Sequence, residues 1–173
     1  KKSYMDKENI SKSFSDIVHK AQELGYTEPN PKDDLNGMDV VRKILIISRL
    51  CGYKFEIEDI DNKLFLDEKC MNANNIEEFY NYLSFSDDEM DELRKLAIES
   101  NNTIRYIARL ENGNAKVGLE TVDSKSPFYN LSGSDNMVII RTKYYDANPL
   151  VIQGPGAGAT VTAAGIVSDI FKC

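Results

Sequence analysis

The run MDVVRKILIISRL, residues 38–50, limits the possible folds more than any other stretch of this chain. Val40, Val41, Ile44, Leu45, Ile46 and Ile47 spread apolar surface over most of a helix of that length, leaving little face for water. Such a helix is expected to be mostly buried, so the rest of the chain has to supply a layer that covers it. What precedes it is the opposite kind of sequence. YTEPNPKDDLN, 26–36, is polar, and Pro29 and Pro31 push Glu28 and Asn30 out of helical torsions into an extended loop. Asn36 is placed to cap the helix. Glu23, Glu28, Asp33, Asp34 and Asp39 therefore gather around one helix mouth.

The covering layer is announced at residue 103, where the apolar period changes to two. TIRYIARL, AKVGLETV and NMVIIRTKYYD read as three antiparallel strands, with NGN at 112–114 turning the first into the second. PFYNLSGSDN is a loop before the third, with Gly133 and Asn136 suited to a tight turn. PLVIQ, 149–153, is a further short strand, and GPGAGATVTAAGIVSDIF a glycine-rich turn that opens a last helix. Upstream, Phe14, Ile17, Val18, Ala21 and Leu24 keep helical spacing, with Ser13 or Ser15 as cap and Gly25 as terminator. NIEEFYNYLS and SDDEMDELRKLAIESN read as two more helices, peripheral and acidic, the second opened by a Ser86–Glu89 capping box. Residues 53–70 fit a strand or a turn-rich connection. The expected class is α/β (α+β), a mainly antiparallel or mixed sheet covered by helices on one face.

Charge and cysteine use exclude several functions. The 173 residues suit one domain or slightly more, and a net charge of −7 with no basic cluster beyond Lys1-Lys2 argues against a nucleic-acid face. No apolar run reaches membrane-spanning length. Cys51, Cys70 and Cys173 are an odd number at irregular spacing, which fits a reducing, cytoplasmic setting better than a disulfide framework. With one histidine, His19, and no CxxC, a transition-metal site has too few soft ligands, so none is expected. His19 itself reads as a solvated helix residue. The charged start and the uncapped helical finish give the expectation of a piece of a longer protein.

Two places have residues that suit chemistry. Asp39 and Lys43 stand four apart, on one helix face; on an apolar helix they are expected to face the interior or a closed cleft. An ordinary surface ion pair is the plainer reading. With Glu28, Asp33 and Asp34 at the same mouth, the set suits an amino-acid-like ligand: carboxylates for its ammonium, a lysine for a carboxylate, a hydroxyl or a proton. Separately, Gly154, Gly156 and Ala159 satisfy G-x-G-x-x-(G/A) between a strand and a helix. A dinucleotide fingerprint opens a full βαβ unit with an acidic residue about 20 positions on, and no second strand follows here. What remains is a helix N-terminus with bare amides able to meet a cofactor edge, or simply close strand–helix packing.

GYTEPNPKDDLNGMDVVRK, 25–43, resembles the homoserine dehydrogenase signature GYTEPDPRDDLSGxDVARK, and PLVIQGPGAGATVTAAGIVSDI resembles the same family's cofactor-proximal C-terminal segment. The two long motifs in this order span almost the whole chain, and the GPGAGA form with the acidic helices suggests the bifunctional aspartokinase–homoserine dehydrogenases. The resemblance implies hydride transfer between NADP or NAD and aspartate semialdehyde or homoserine, in threonine, methionine and isoleucine biosynthesis. Lys43 matches the catalytic lysine and Asp39 the residue that binds substrate and orients it. Tyr26, Glu28 and Asp34 match positions that hold the amino-acid end, and Gly158, with Gly156 beside it, a cofactor contact; Thr162 is given no role. Asn30, Lys32, Asn36 and Val41 depart from the signature. Physically the roles cohere, because hydride addition to an aldehyde builds negative charge on oxygen that an aimed ammonium stabilises and protonates.

The resemblance further implies that residues 1–173 are the substrate-binding and dimerising region, a homodimer in the intact enzyme. Residues 154–173 would pack against a nucleotide-binding domain lying mainly upstream, and the chain alone would be inactive. An amino-acid-binding regulatory module without catalysis is the alternative, and a purely structural oligomerisation domain a third reading that leaves the carboxylate loop unexplained.

Overall fold

A computed structural model describes residues 12–133, 135–156 and 158–172, in two compact units that divide between Val122 and Asp123.

In the first unit, helix α1 (Phe14–Glu23) starts where the Ser13 hydroxyl accepts the Asp16 N–H at 3.1 Å, and stops at Leu24 with Gly25 left-handed at φ +69°. A short α2 (Lys32–Leu35) leads into α3 (Met38–Leu50). After a 3-10 turn at Ile57–Asp59 come β1 (Ile60–Asn62), α4 (Glu68–Met71), α5 (Ile76–Ser84) and α6 (Asp87–Glu99). The strands β2 (Thr103–Glu111) and β3 (Asn114–Val122) close the unit as a hairpin. Its turn, Asn112 and Gly113, has φ of +51° and +76°, the two left-handed residues that match the twist of the flanking strands.

Two apolar clusters hold this unit. Phe14 and Val18 of α1, Leu66, Cys70 and Ala73, Phe79 and Leu83 of α5 and Met90 of α6 form one. The helices 76–84 and 87–99 are thus core elements, not the peripheral pair their charges suggest: Phe79 and Leu83 are fully buried, each stabilising by about 1.5–3 kcal/mol. Arg94 is buried too, with its guanidinium on Asp91 at 2.6 Å and on the Lys12 carbonyl at 3.3 Å. Asp87 ties α6 to α1, accepting the Ser15 N–H at 2.8 Å and its hydroxyl at 2.6 Å; the carboxylate meets an amide of the first turn that the helix itself leaves free. The expected Ser86 capping box does not form, because Ser86 already has helical torsions at φ −87°, ψ −3°.

The other cluster is α3 on the sheet: Val41, Ile44 and Leu45 pack on Ile60, Ala115 and Val117, bordered by Tyr106, Ala108 and Leu110. The strand order is β1-β3-β2, with β1 parallel to β3 (Ile60 opposite Ala115) and β2 antiparallel to it (Thr103 opposite Val122). The stretch 53–70 therefore contributes a turn, one short parallel strand and the start of α4.

In the second unit, β4 (Asp135–Ile140) and β5 (Leu150–Pro155) form an antiparallel ribbon, registered from Asp135 opposite Pro155 to Ile140 opposite Leu150. This corrects the expected third strand of the main sheet: both edges of β3 are already taken, by β1 and β2, and NMVII finds its partner in LVIQGP instead. The strand also ends early, at Ile140, where Thr142 and Tyr145 bond each other's backbone in a turn. Gly133 turns the chain at φ +65°, whereas Asn136 lies within β4 opposite Gly154. A 3-10 turn, Pro127–Asn130, precedes the ribbon, and helix α7 (Ala159–Ile170) follows it. The class is α/β with a mixed sheet and a separate antiparallel ribbon.

Candidate functional site

The polar loop after α1 is fastened at three points by its own sequence. The Gln22 carboxamide donates to the Pro29 carbonyl at 3.1 Å while accepting the Tyr80 hydroxyl at 2.8 Å, which ties the loop to α5. The Lys32 ammonium donates to the Ala73 carbonyl at 3.0 Å. The Asp34 carboxylate accepts the Glu28 N–H at 2.8 Å, closing the loop on itself. Ordinary loop residues thus hold rigid a segment whose carboxylates at Glu28, Asp33 and Asp34, and whose Tyr26 ring, stay exposed.

At the corner between α2 and α3 the chain passes through Gly37, left-handed at φ +73° and buried. A Cβ there would lie 2.1 Å from the Tyr106 hydroxyl oxygen and 2.8 Å from Asn62 Oδ1, so the backbone is pressed against both side chains. Asn62 Nδ2 donates to the Asn36 carbonyl at 3.0 Å, and Asn62 Oδ1 accepts the Tyr106 hydroxyl at 3.2 Å. Asn36 does bind the helix start, accepting the Met38 N–H at 2.9 Å, but the cap position itself is Gly37. Asn62 and Tyr106 carry no motif, and only the three-dimensional pairing of β1 and β2 on either side of β3 brings them to this corner.

One turn along, Lys43 Nζ lies 2.7 Å from Asp39 Oδ2, the two side chains 53% and 73% exposed. This corrects the expected interior or closed cleft. α3 turns Val41, Ile44, Leu45 and Ser48 to the core, which leaves Asp39, Arg42, Lys43, Ile46 and Leu50 as an outward stripe; Ile46 is 60% and Leu50 83% exposed. The helix is buried on one side only. An exposed i,i+4 pair stabilises a protein by only about 0.3–0.5 kcal/mol, and this exposure is what the plainer reading, an ordinary surface pair, expects. Chemically it is an ammonium aimed by a carboxylate at an open surface. His19 is on the surface, 3.4 Å from Glu23 and with its ring tilted against Tyr80 at 4.9 Å.

The glycine segment belongs to the second unit. Gly158 has φ +137°, stands at the N-cap of α7 and has open space where a side chain would be; its carbonyl accepts the Thr162 N–H at 3.0 Å. Gly156 is different, since a Cβ on it would fall 1.6 Å from Asn136 Nδ2, so its lack of a side chain serves packing of the ribbon. The structure therefore brings Tyr26, Glu28, Asp34, Asp39 and Lys43 into one unit, on one loop and the helix it enters, and Gly156 and Gly158 into the other.

Among the described residues no group of three or more His, Cys, Asp or Glu side chains is arranged to hold a metal ion. Among the described residues no helix is long and apolar enough to cross a membrane. Cys51 is exposed and Cys70 buried, the latter's thiol pushed up to about 11 by burial, with Asp67 adding to the rise and Lys32 opposing it; Cys173 lies outside the described residues.

Residues 3–171 match the family model described as homoserine dehydrogenase. The homoserine dehydrogenase of Saccharomyces cerevisiae is 42% identical over 162 residues, covering 92% of this chain and 45% of that protein. Bifunctional aspartokinase/homoserine dehydrogenase 2 of Zea mays is 38% identical over 164 residues, covering 94% of this chain and 18% of that protein. Among solved structures, a Candida auris protein described as of unknown function superposes with a TM-score of 0.86 at 38% identity, covering 94% of this chain and 46% of that one. The chain thus spans less than half the length of each of these proteins.

Proposed function

Because the chain belongs to the homoserine dehydrogenase family, we propose that it is the substrate-binding and dimerising part of an enzyme interconverting L-aspartate 4-semialdehyde and L-homoserine. The observation that carries this reading is the Asp39–Lys43 pair, held at 2.7 Å on the open side of α3 at the end of a pinned carboxylate loop. The nicotinamide cofactor, NADP or NAD, supplies or accepts the hydride at the substrate's terminal carbon. Gly158, bare and in open space, suits close approach of such a cofactor; Gly156, occupied with Asn136, suits it less. The longer polypeptide supplies the other cofactor contacts.

In the reductive direction the Lys43 ammonium meets the aldehyde oxygen, stabilises the charge that grows there and gives it a proton. Asp39 aims the ammonium from one helical turn away. The substrate's own ammonium needs acceptors, and the exposed carboxylates of Glu28 and Asp34, the latter already holding the Glu28 N–H, can present them on a fastened loop that also carries Tyr26. An aimed ammonium on an exposed surface becomes effective when water is excluded, which the remainder of the enzyme and the substrate do by closing over α3. A homodimer in the cytoplasm, acting in threonine, methionine and isoleucine biosynthesis, completes the proposal. Its aspartokinase-linked form predicts a native polypeptide about five times this chain's length, against about twice for a single-function enzyme.

Titrating L-homoserine into the intact protein with NADP or NAD present tests the reading. Glu28→Ala is expected to weaken binding about tenfold or more, the scale of a lost charge-assisted hydrogen bond. Unchanged affinity in both Glu28→Ala and Asp34→Ala would overturn the carboxylate assignment.

A further inference from the structure

We propose that Asn62 and Tyr106 are positioning residues for the reaction, acting through the Asn36–Gly37 corner to fix the end of α3 that bears Asp39 and Lys43; the inference rests on the catalytic reading of Lys43. The chain of contacts is continuous. Tyr106, near the middle of β2, donates its hydroxyl to Asn62 Oδ1 at 3.2 Å. The same carboxamide donates from Nδ2 to the Asn36 carbonyl at 3.0 Å. Asn36 returns its side-chain oxygen to the Met38 N–H at 2.9 Å, and the Gly37 carbonyl accepts the Val41 N–H at 3.0 Å to start the helix. Asn62 thus uses both ends of its amide, one on the sheet and one on the corner.

Shape reinforces the bonds. With a Cβ at residue 37 only 2.1 Å from the Tyr106 hydroxyl oxygen, the corner has no slack on that side. The Tyr106 ring is itself held edge-on against Phe65 at 5.8 Å, and burial pushes its phenol up, so the hydroxyl stays a proton donor to Asn62. Asp39 is two residues beyond Gly37 and Lys43 one turn further. A shift of the corner therefore moves Asp39 relative to Lys43, which stands between the packed Val41 and Ile44. The helix body beyond it is anchored separately, by Val41, Ile44 and Leu45 on the sheet. Loosening the corner consequently degrades aim more than folding. Misplacement of reacting groups by about 1 Å can cost about a hundredfold in rate.

The test uses the intact enzyme with Asn62→Ala and Tyr106→Phe, each made in the native background and with Lys43→Ala. Homoserine oxidation should fall in kcat about tenfold to a hundredfold for Asn62→Ala and less for Tyr106→Phe, which keeps the ring, with KM changed less than about twofold. In the Lys43→Ala background neither substitution should lower the residual kcat further, since both act through the lysine. Hydrogen exchange at the Val41 amide should quicken in both variants while the α5 amides stay protected. A kcat loss of equal size in both backgrounds, an unchanged kcat, or unaltered Val41 exchange would overturn the positioning role. If Asn62→Ala fails to fold, Tyr106→Phe decides by the same readings. Full turnover in Lys43→Ala alone would instead count against the catalytic reading, and Val41 exchange would still judge the corner.

Discussion

Helices α3 and α7 are both rich in apolar residues, yet they stand in opposite conditions. α3 buries Val41, Ile44, Leu45 and Ser48. α7 buries nothing: Val161, Ile166, Val167 and Ile170 are 42–67% exposed, and Phe171 after it 85%. The strands repeat the contrast. Ile107, Ala115 and Val117 of the first unit are buried, while Val138, Ile140, Leu150, Val151 and Ile152 of the ribbon are each more than a third exposed. Apolar sequence states a demand for cover, and the first unit meets most of that demand from within its own residues, Ile46 and Leu50 among the exceptions. A ribbon and a helix left apolar on this scale are surfaces suited to cover by other polypeptide.

Truncating one large side chain in each unit separates the two most strongly. Phe79→Ala should cost about 3–5 kcal/mol, the usual penalty for emptying a phenylalanine site, whereas Phe171→Ala should change stability by less than about 0.5 kcal/mol in this chain. Denaturant melts of the two variants measure it, and similar losses would show that the second unit has a core of its own. Gly37→Ala comes next. It combines a left-handed φ with a collision against Tyr106, so a loss of about 1–3 kcal/mol is expected from the strain, with more from the clash.

The buried thiol of the first unit adds a dependence on pH. Burial raises the Cys70 thiol from 9.0 to about 11, so the folded state favours the neutral form. Its stabilisation is complete below about 9 and is lost as pH rises through about 11. The denaturation midpoint should fall across that window, and fall less in Cys70→Ala. The smallest effect belongs to Asp39→Asn, which should alter the melting of the chain by no more than about 0.5 kcal/mol because the pair is exposed.

Local patterns carried the sequence reading as far as local patterns determine structure. The helical spacing of Phe14 to Leu24, the Asn112-Gly113 turn and the strand at Leu150 all reappear, because capping, turn chemistry and periodicity act within a few residues. What escaped depends on partners distant in the chain. β1 is three residues long and pairs in parallel with β3, a contact that leaves no turn signal. NMVII carries the same alternation whether it joins the main sheet or the ribbon. Count of apolar residues overstated the burial of α3, since Ile46 and Leu50 fall outside the arc that Val41, Ile44 and Leu45 press on the sheet. Of the candidate site, Tyr26, Glu28, Asp34, Asp39 and Lys43 were singled out together because one motif contains them, and the structure places them on one loop and the helix it enters. Asn62 and Tyr106 were not, since only folding brings them to Gly37.

The proposal that Lys43, aimed by Asp39, delivers the proton to the aldehyde oxygen stands on their 2.7 Å pair. Its most direct test is steady-state homoserine oxidation by the intact enzyme with Lys43→Ala. A fall in kcat of about a hundredfold to ten-thousandfold is expected, the range for a lost general acid or base, with homoserine affinity largely kept. A kcat within about twofold of the unsubstituted enzyme would contradict it.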